Sequence, residues 1–323
     1  MSGDEGSSGW QLTESDPGVF TELLKTLGVD LIVDDLYSLD SDALASFQPI
    51  HALIFLFKWV ANSDERGGGS GQFDTAFPGF FAHQVVNNAC ATLAVLNALM
   101  NIPSLTMGPE LSDLKAFTTG MDPQSCGLTI TSSDFLRQSH NALSPPSAIS
   151  LDGLDIPKTS EDAYHFIVYT PVAGSLYELD GLKQYPVKHG SYSEAGEGWV
   201  AKAREAIEAR IATYPPGAIE FNLMAIHDDA LPKLQAELKA SQDAGRDLQA
   251  DQLLVRITEE NDKRAKWALE SSLRRHNYLG FIHALTLALA KAGKLQPATE
   301  KARTVMKERI AKAKKDGKSM EED

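Results

Sequence analysis

Apolar and polar positions divide the chain into two regimes that change near Ala230. Upstream, short apolar runs alternate with clusters of Gly, Pro, Asn, Asp and Ser; downstream, Ala, Leu, Lys, Glu and Gln recur with little glycine or proline. The first pattern predicts strands and brief helices joined by turns, the second long amphipathic helices. Asp16 and Pro17 cap and open a first helix running toward Leu27, with Gly28 as its stop. Ala52 to Phe57 is unbroken apolar sequence too short for most helices and predicts a buried strand. Tyr164 to Tyr169 predicts a strand, Ala173-Gly174-Ser175 a turn and Leu176 to Leu179 a second strand, together a hairpin. Leu111 to Phe117 and Ser133 to His140 predict helices, and Ile219 to Ile226 a late strand. Leu143 to Asp162 is rich in Ser, Pro and Asp and has no periodicity. The fold class expected is α/β, an antiparallel-rich sheet with helices on both sides, over residues 8–230, after a disordered stretch 1–7. Residues 231–323 form a helical extension. Within it Tyr278, Phe281, Ile282, Leu285 and Leu289 make an apolar stripe at helical spacing. Such stripes mostly pack internally, but so short an extension has little core of its own, which leaves part of the stripe for a partner helix.

The segment Gln84-Val85-Val86-Asn87-Asn88-Ala89-Cys90 carries the chemistry, because it sets a thiol and an amide donor before an apolar helical run, Ala91 to Met100. Asn87 and Asn88 are favoured N-cap residues, so Cys90 is expected in the first turn of a buried helix. There, unsatisfied backbone N–H groups and the positive end of the helix dipole favour a thiolate. The Gln84 amide, with the Cys90 N–H, can form an oxyanion hole. A cysteine nucleophile needs a base, and the base an orienting group. The hairpin supplies both: His165 begins its first strand and Asp180 ends its second, so antiparallel pairing brings them to one end. His51, His83, His140, His189, His227, His276 and His283 lack a carboxylate placed by a hairpin. Cys126, between Ser125 and Gly127 with no downstream helix cap, reads as a buried small hydrophobe.

Composition narrows the setting. With 43% hydrophobic residues in 323, the chain can build a sizeable core. No apolar run approaches the ~20 residues that span a bilayer, and Met1 to Gly9 has neither the basic nor the apolar region of a signal peptide. Two cysteines without a close Cys/His cluster argue for a reducing compartment, cytosol or nucleus, and against structural zinc. A net charge of -14 makes nucleic acid a poor partner and a basic protein a better one. Gly67-Gly68-Gly69-Ser70-Gly71 lacks the Lys-Ser/Thr of a phosphate loop and reads as a flexible loop. Lys301 to Lys318, rich in Lys and Arg, reads as a solvated, frayed helix end.

The residues around this site carry a resemblance. Trp10, the run Glu14-Ser15-Asp16-Pro17-Gly18-Val19-Phe20, His51 to Trp59, the Gln84 to Thr92 block, Tyr164-His165-Phe166, Leu176 to Gly181 and Phe221 to Ile226 resemble the ubiquitin carboxyl-terminal hydrolase family. Arg275-His276-Asn277-Tyr278-Leu279 is similar to a motif of its proteasome-associated members with a C-terminal extension. Ala91 stands where many relatives have glycine, and Gly280 where the extension is expected to have proline. The resemblance implies a papain-like, knotted thiol protease without metal or organic cofactor. In it Gln84 is the oxyanion-hole donor, Cys90 the nucleophile, His165 the base and Asp180 the orienting acid, and the substrate is ubiquitin joined through its terminal glycine. It makes the 143–162 segment a crossover loop over the site, and the extension a dock for a proteasomal ubiquitin-receptor subunit. Two other readings remain: a general peptidase or acyl transferase with an open groove, and a restrained proteasomal adaptor that binds without hydrolysis.

Overall fold

The computed structural model describes residues 9–58, 71–144, 164–214 and 221–315, with side chains through Glu308. The disordered stretch 1–7, most of the glycine-rich loop, the 143–162 segment beyond Ser144 and the end of the basic tail lie outside the described residues.

Local rules place the first elements. α1 (Pro17–Thr26) starts where expected, the Asp16 carboxylate accepting the Val19 N–H at 3.0 Å, and Gly28 follows at φ 73°, where a side chain is disfavoured. After it come β1 (Leu31–Asp35), the short α2 (Ser41–Ala45), β2 (Ile50–Lys58) and β3 (Gln72–Phe73). Four helices follow, α3 (Cys90–Leu99), α4 (Pro109–Thr118), α5 (Pro123–Ser132) and α6 (Asp134–Asn141), then the hairpin β4 (Tyr164–Val172) and β5 (Ser175–Leu179). β6 (Val187–Ser191), α7 (Trp199–Ile211) and β7 (Phe221–Asp228) complete the sheet. β1, α2, β3, β6 and α7 have no counterpart among the sequence-based expectations. α5 was not expected either: its cap lies upstream of Cys126, where Asp122 accepts the Ser125 N–H at 3.0 Å and Pro123 opens the helix, and Cys126 sits inside it. That Asp-Pro pair repeats the signal that starts α1. Cys126 is buried as expected, and burial pushes its thiol pKa up.

The seven strands pair antiparallel in the order β1-β7-β2-β4-β5-β6-β3. Strands β2, β4 and β7 are apolar on both faces because both faces are covered. Ala52, Ile54, Phe166, Val168, Met224 and Ile226 face a core shared with α1 and α3, while Leu53, Phe55, Ile167, Tyr169, Leu223 and Ala225 face one shared with α7. Alternation by two along each strand assigns these sets to opposite sides.

The second core holds a buried charge. Glu178 on β5 is fully buried and accepts from Arg210 Nη1 at 3.0 Å, Lys183 Nζ at 2.9 Å, His189 Nε2 at 3.2 Å and the Tyr169 hydroxyl at 3.1 Å. Burial opposes its ionisation, but Arg210, His189 and Lys183 together hold its pKa well below the ordinary carboxylate value. Arg210 itself lies on α7 with its guanidinium 4.4 Å from the Phe57 ring.

The composition change at Ala230 coincides with the start of α8 (Ala230–Asp243), followed by α9 (Asp247–Arg275), α10 (Leu279–Lys291) and α11 (Leu295–Lys315). Compactness divides the chain elsewhere. One unit takes in the sheet, its flanking helices, α8 and α9 through Ser272; the other runs from Leu273. Lys263 on α9 reaches Asp34 on β1 at 2.8 Å and Ser271 donates to Glu22 on α1 at 2.8 Å, which ties α9 to the sheet's unit. In the second unit the apolar stripe does not pack internally: Phe281 is 64% exposed, and Ile282 and Leu285 are exposed too. α11, which follows α10 after a short turn, leaves that face open.

Arg210 is one of four donors to Glu178, and a hydrogen bond to a charged group contributes about 1.5–3 kcal/mol. Arg210→Ala is therefore expected to lower unfolding stability in urea by about that amount, with Lys183 and His189 still facing the carboxylate; a variant indistinguishable from wild type would show that those donors satisfy Glu178 alone.

Candidate functional site

Cys90 is the first residue of α3, a helix in which every residue from Ala91 to Leu99 is buried. The asparagines before it do not cap it as expected. Ala89 is the N-cap and makes no side-chain hydrogen bond, while Asn88 lies at φ 67° and donates its side-chain amide to the Trp10 carbonyl at 3.1 Å. Asparagine tolerates this left-handed conformation, and its side chain is spent on holding the turn to the N-terminal segment. The N–H groups of the first turn are thus left without a cap acceptor beside a half-buried thiol.

Asn97 on α3 and Asn101 just past its end position the segment that leads to Gln84. Asn97 accepts the Ala82 N–H at 2.9 Å, and Asn101 accepts the Phe80 N–H at 2.8 Å and donates to its carbonyl at 2.7 Å. An asparagine in a buried apolar helix demands a partner, so the run Ala91 to Met100 already contained this signal. Gln84 then donates its backbone N–H to the Gly181 carbonyl at 2.8 Å. A Cβ on Gly181 would stand 3.0 Å from that nitrogen, so only glycine admits the approach without a shift. The Gln84 Oε1 atom is buried with no hydrogen-bond partner among the described residues.

β4 and β5 bring the remaining groups together. Their ladder runs from Val172 opposite Ser175 to Val168 opposite Leu179, so Asp180 emerges one residue past the last pair. There His165 Nε2 meets Asp180 Oδ1 at 2.6 Å, both side chains nearly excluded from solvent. That oxygen also accepts the Leu182 N–H at 3.0 Å. Burial disfavours charge on His165, but the Asp180 carboxylate outweighs it by charge and hydrogen bond, Cys90 adds both in the same direction, and the imidazole pKa rises to about 9. For Asp180, burial is opposed by the His165 charge and hydrogen bond, and the net effect is a lowered pKa. With that raised pKa the pair is an imidazolium and a carboxylate at neutral pH, and the imidazole also interacts with Cys90.

The elimination of the other histidines needs correction. His51 meets Asp228 at 2.7 Å, His189 meets Glu178 at 3.2 Å and His227 meets Asp34 at 3.0 Å, each across neighbouring strands or strand ends. A carboxylate partner is common in this sheet; the neighbouring cysteine is what sets His165 apart. His83, next to Gln84, is turned to the Gln184 carbonyl at 3.0 Å. His140 is buried between the Thr92 hydroxyl, 2.8 Å from Nδ1, and the Gln11 carbonyl, 2.6 Å from Nε2, with burial lowering its pKa. Among the described residues no group of three His, Cys, Asp or Glu side chains is placed to hold a metal ion. A thiol at a helix N-terminus interacting with an imidazolium that a carboxylate fixes can carry out acyl transfer through a covalent thioester.

The comparisons with known proteins point the same way. Residues 10–212 match the family model described as ubiquitin carboxyl-terminal hydrolase, family 1, and residues 250–295 match a second model described as ubiquitin carboxyl-terminal hydrolases. The chain is 39% identical over 284 residues to ubiquitin carboxyl-terminal hydrolase 2 of Schizosaccharomyces pombe, covering 87% of this chain and 91% of that one. It is 38% identical over 313 residues to ubiquitin carboxyl-terminal hydrolase ubh-4 of Caenorhabditis elegans, covering 95% and 94%. Among solved structures it is similar to Trichinella spiralis UCH37 bound to ubiquitin vinyl methyl ester, with a TM-score of 0.65, 34% identity and coverage of 80% of this chain and 99% of that one.

The raised imidazole pKa has a sign that mutation can check. In Asp180→Asn the charge contribution vanishes and only a neutral acceptor remains while burial is unchanged, so the His165 pKa is expected to fall well below about 9. Nitrogen NMR of the ring across pH 5–10 reads this directly; an unchanged titration would remove the carboxylate as its cause.

Proposed function

The chain belongs to family 1 of the ubiquitin carboxyl-terminal hydrolases and is a cysteine-type deubiquitinase, and we propose that Gln84, Cys90, His165 and Asp180 carry its chemistry and that it works at the proteasome. The observation that supports the assignment is His165, fixed by Asp180 through Nε2 and interacting with Cys90. His165 holds the proton given up by the thiol, and the Cys90 sulfur attacks the carbonyl carbon of ubiquitin's terminal glycine. The developing oxyanion takes hydrogen bonds from the Cys90 N–H and the Gln84 side chain. Half a turn about the last torsion of Gln84 exchanges its oxygen for its NH2, so the uncommitted end can donate. His165 then protonates the leaving amine, the C–N bond breaks, and a water activated by the neutral imidazole hydrolyses the thioester. None of these steps requires a metal or an organic cofactor.

The catalytic unit of the reading is residues 8–230, with 231–323 as the docking extension. Its support is the separate family match at 250–295 and the exposed apolar face of α10. Partner docking would cover Phe281, Ile282 and Leu285, which α11 leaves open. A proteasomal ubiquitin-receptor subunit is the partner proposed, and cytoplasm and nucleus, where proteasomes reside, are the compartments. The net charge of -14 favours ubiquitin's arginine-bearing tail over nucleic acid.

Reaction with ubiquitin bearing a C-terminal thiol-reactive electrophile tests the chemistry: wild type is expected to form a covalent adduct and Cys90→Ala none. Absence of an adduct with wild type, even with the receptor present, would leave only the adaptor reading. For docking, Phe281→Glu is expected to abolish co-purification with proteasomes while free-enzyme turnover of a ubiquitin fluorophore stays unchanged; retained co-purification would move the dock away from α10.

A further inference from the structure

The turn that follows β5 joins three parts of the site in four residues. Asp180 holds His165; Gly181 accepts the Gln84 N–H at 2.8 Å; the Leu182 N–H returns to Asp180 Oδ1 at 3.0 Å; and Lys183 donates its backbone N–H to the Asp180 carbonyl at 2.9 Å. The Lys183 side chain does not run into solvent as most lysines do. It folds back, 9% exposed, and reaches Glu178 Oε1 at 2.9 Å, on the strand residue two positions before Asp180. A long flexible side chain ordered in this way gives up rotamer freedom, which its pairing with Glu178 offsets.

Arg210 already compensates Glu178, and His189 and Tyr169 complete its hydrogen bonds. The core therefore keeps a satisfied carboxylate without Lys183, whereas the turn loses its only side-chain tie to β5 among the described bonds. Resting on the catalytic roles proposed above, we infer that Lys183 is a positioning residue: its ion pair with Glu178 clamps the Asp180–Lys183 turn so that the carboxylate on His165 and the amide of Gln84 are held in register at once. Lys183 touches no reacting atom. It acts through Asp180 on one side and through Gly181 and Gln84 on the other.

The experiment compares full-length wild type, Lys183→Met, Lys183→Arg and Cys90→Ala on ubiquitin with an amide-linked C-terminal fluorophore. Thermal unfolding and equilibrium binding of free ubiquitin accompany each. Misplacement of catalytic groups by about 1 Å is worth up to ~100-fold in rate. Lys183→Met is therefore expected to be folded, to bind ubiquitin as wild type does and to lose roughly tenfold or more in kcat. Lys183→Arg, which keeps the charge and a donor within reach of Glu178, is expected to recover most of the loss. Wild-type kcat in Lys183→Met would overturn the proposal. So would a variant that fails to fold, since three other partners of Glu178 remain, or a loss confined to ubiquitin affinity. Equal activity of wild type and Cys90→Ala would instead sink the assignment of the catalytic groups, independently of Lys183.

Discussion

Pairing of β4 with β5 is the constraint on which the site depends. The hairpin turns at Ala173 and Gly174, both left-handed at φ 47° and 73°, a geometry that suits the right-handed twist of the flanking strands. It closes Val172 against Ser175 and thereby sets the ladder to Val168 against Leu179. A slip of one residue would turn Ile167 and Tyr169 to the α3 side and Phe166 and Val168 to the α7 side. Both faces of β4 are packed, so each such slip would misplace a full row of buried side chains. Register in the core therefore fixes the 2.6 Å meeting of His165 and Asp180, fifteen residues apart in the chain.

The proposed nucleophile, Cys90, comes from the other direction, on an apolar helix tied to its neighbours by asparagines within it and just past its end. α3 packs on β4, and Asn97 within it and Asn101 just past its end hold the backbone of Phe80 and Ala82. This makes the helix that carries Cys90 also the template for the approach of Gln84. Net hydrogen bonds of this kind contribute about 1 kcal/mol each, but leaving them unmade costs more, so they specify geometry more than they add stability. Gly181 then completes the circuit between the two halves, since its carbonyl receives Gln84 and its missing side chain lets the two segments meet.

Two buried histidines that interact with residues of α3 show how environment decides protonation. His165 faces a carboxylate and is driven to about 9; His140 faces a carbonyl and a hydroxyl, and burial lowers its pKa. A ring kept neutral with its Nε2–H on Gln11 accepts from Thr92 at Nδ1, which anchors the N-terminal segment beside the turn that Asn88 also holds. The first is poised to move a proton and the second to keep its structure across neutral pH.

Much of this was legible in the chain. Asp16-Pro17 and Gly28, the unbroken run of β2, the hairpin and its turn, and the order Gln84, Cys90, His165, Asp180 follow from local chemistry and period. α5 was equally legible in Asp122-Pro123, but the glycine beside Cys126 obscured it. Tertiary structure decided what local pattern could not: Asn88 serves Trp10 and not the helix, three further histidines find carboxylates, α9 joins the sheet's unit, and the α10 stripe stays exposed. Each depends on groups distant in sequence competing for the same donor, acceptor or apolar surface. Periodicity states what a residue wants to bury or bond; only the folded chain determines which partner is there to satisfy it.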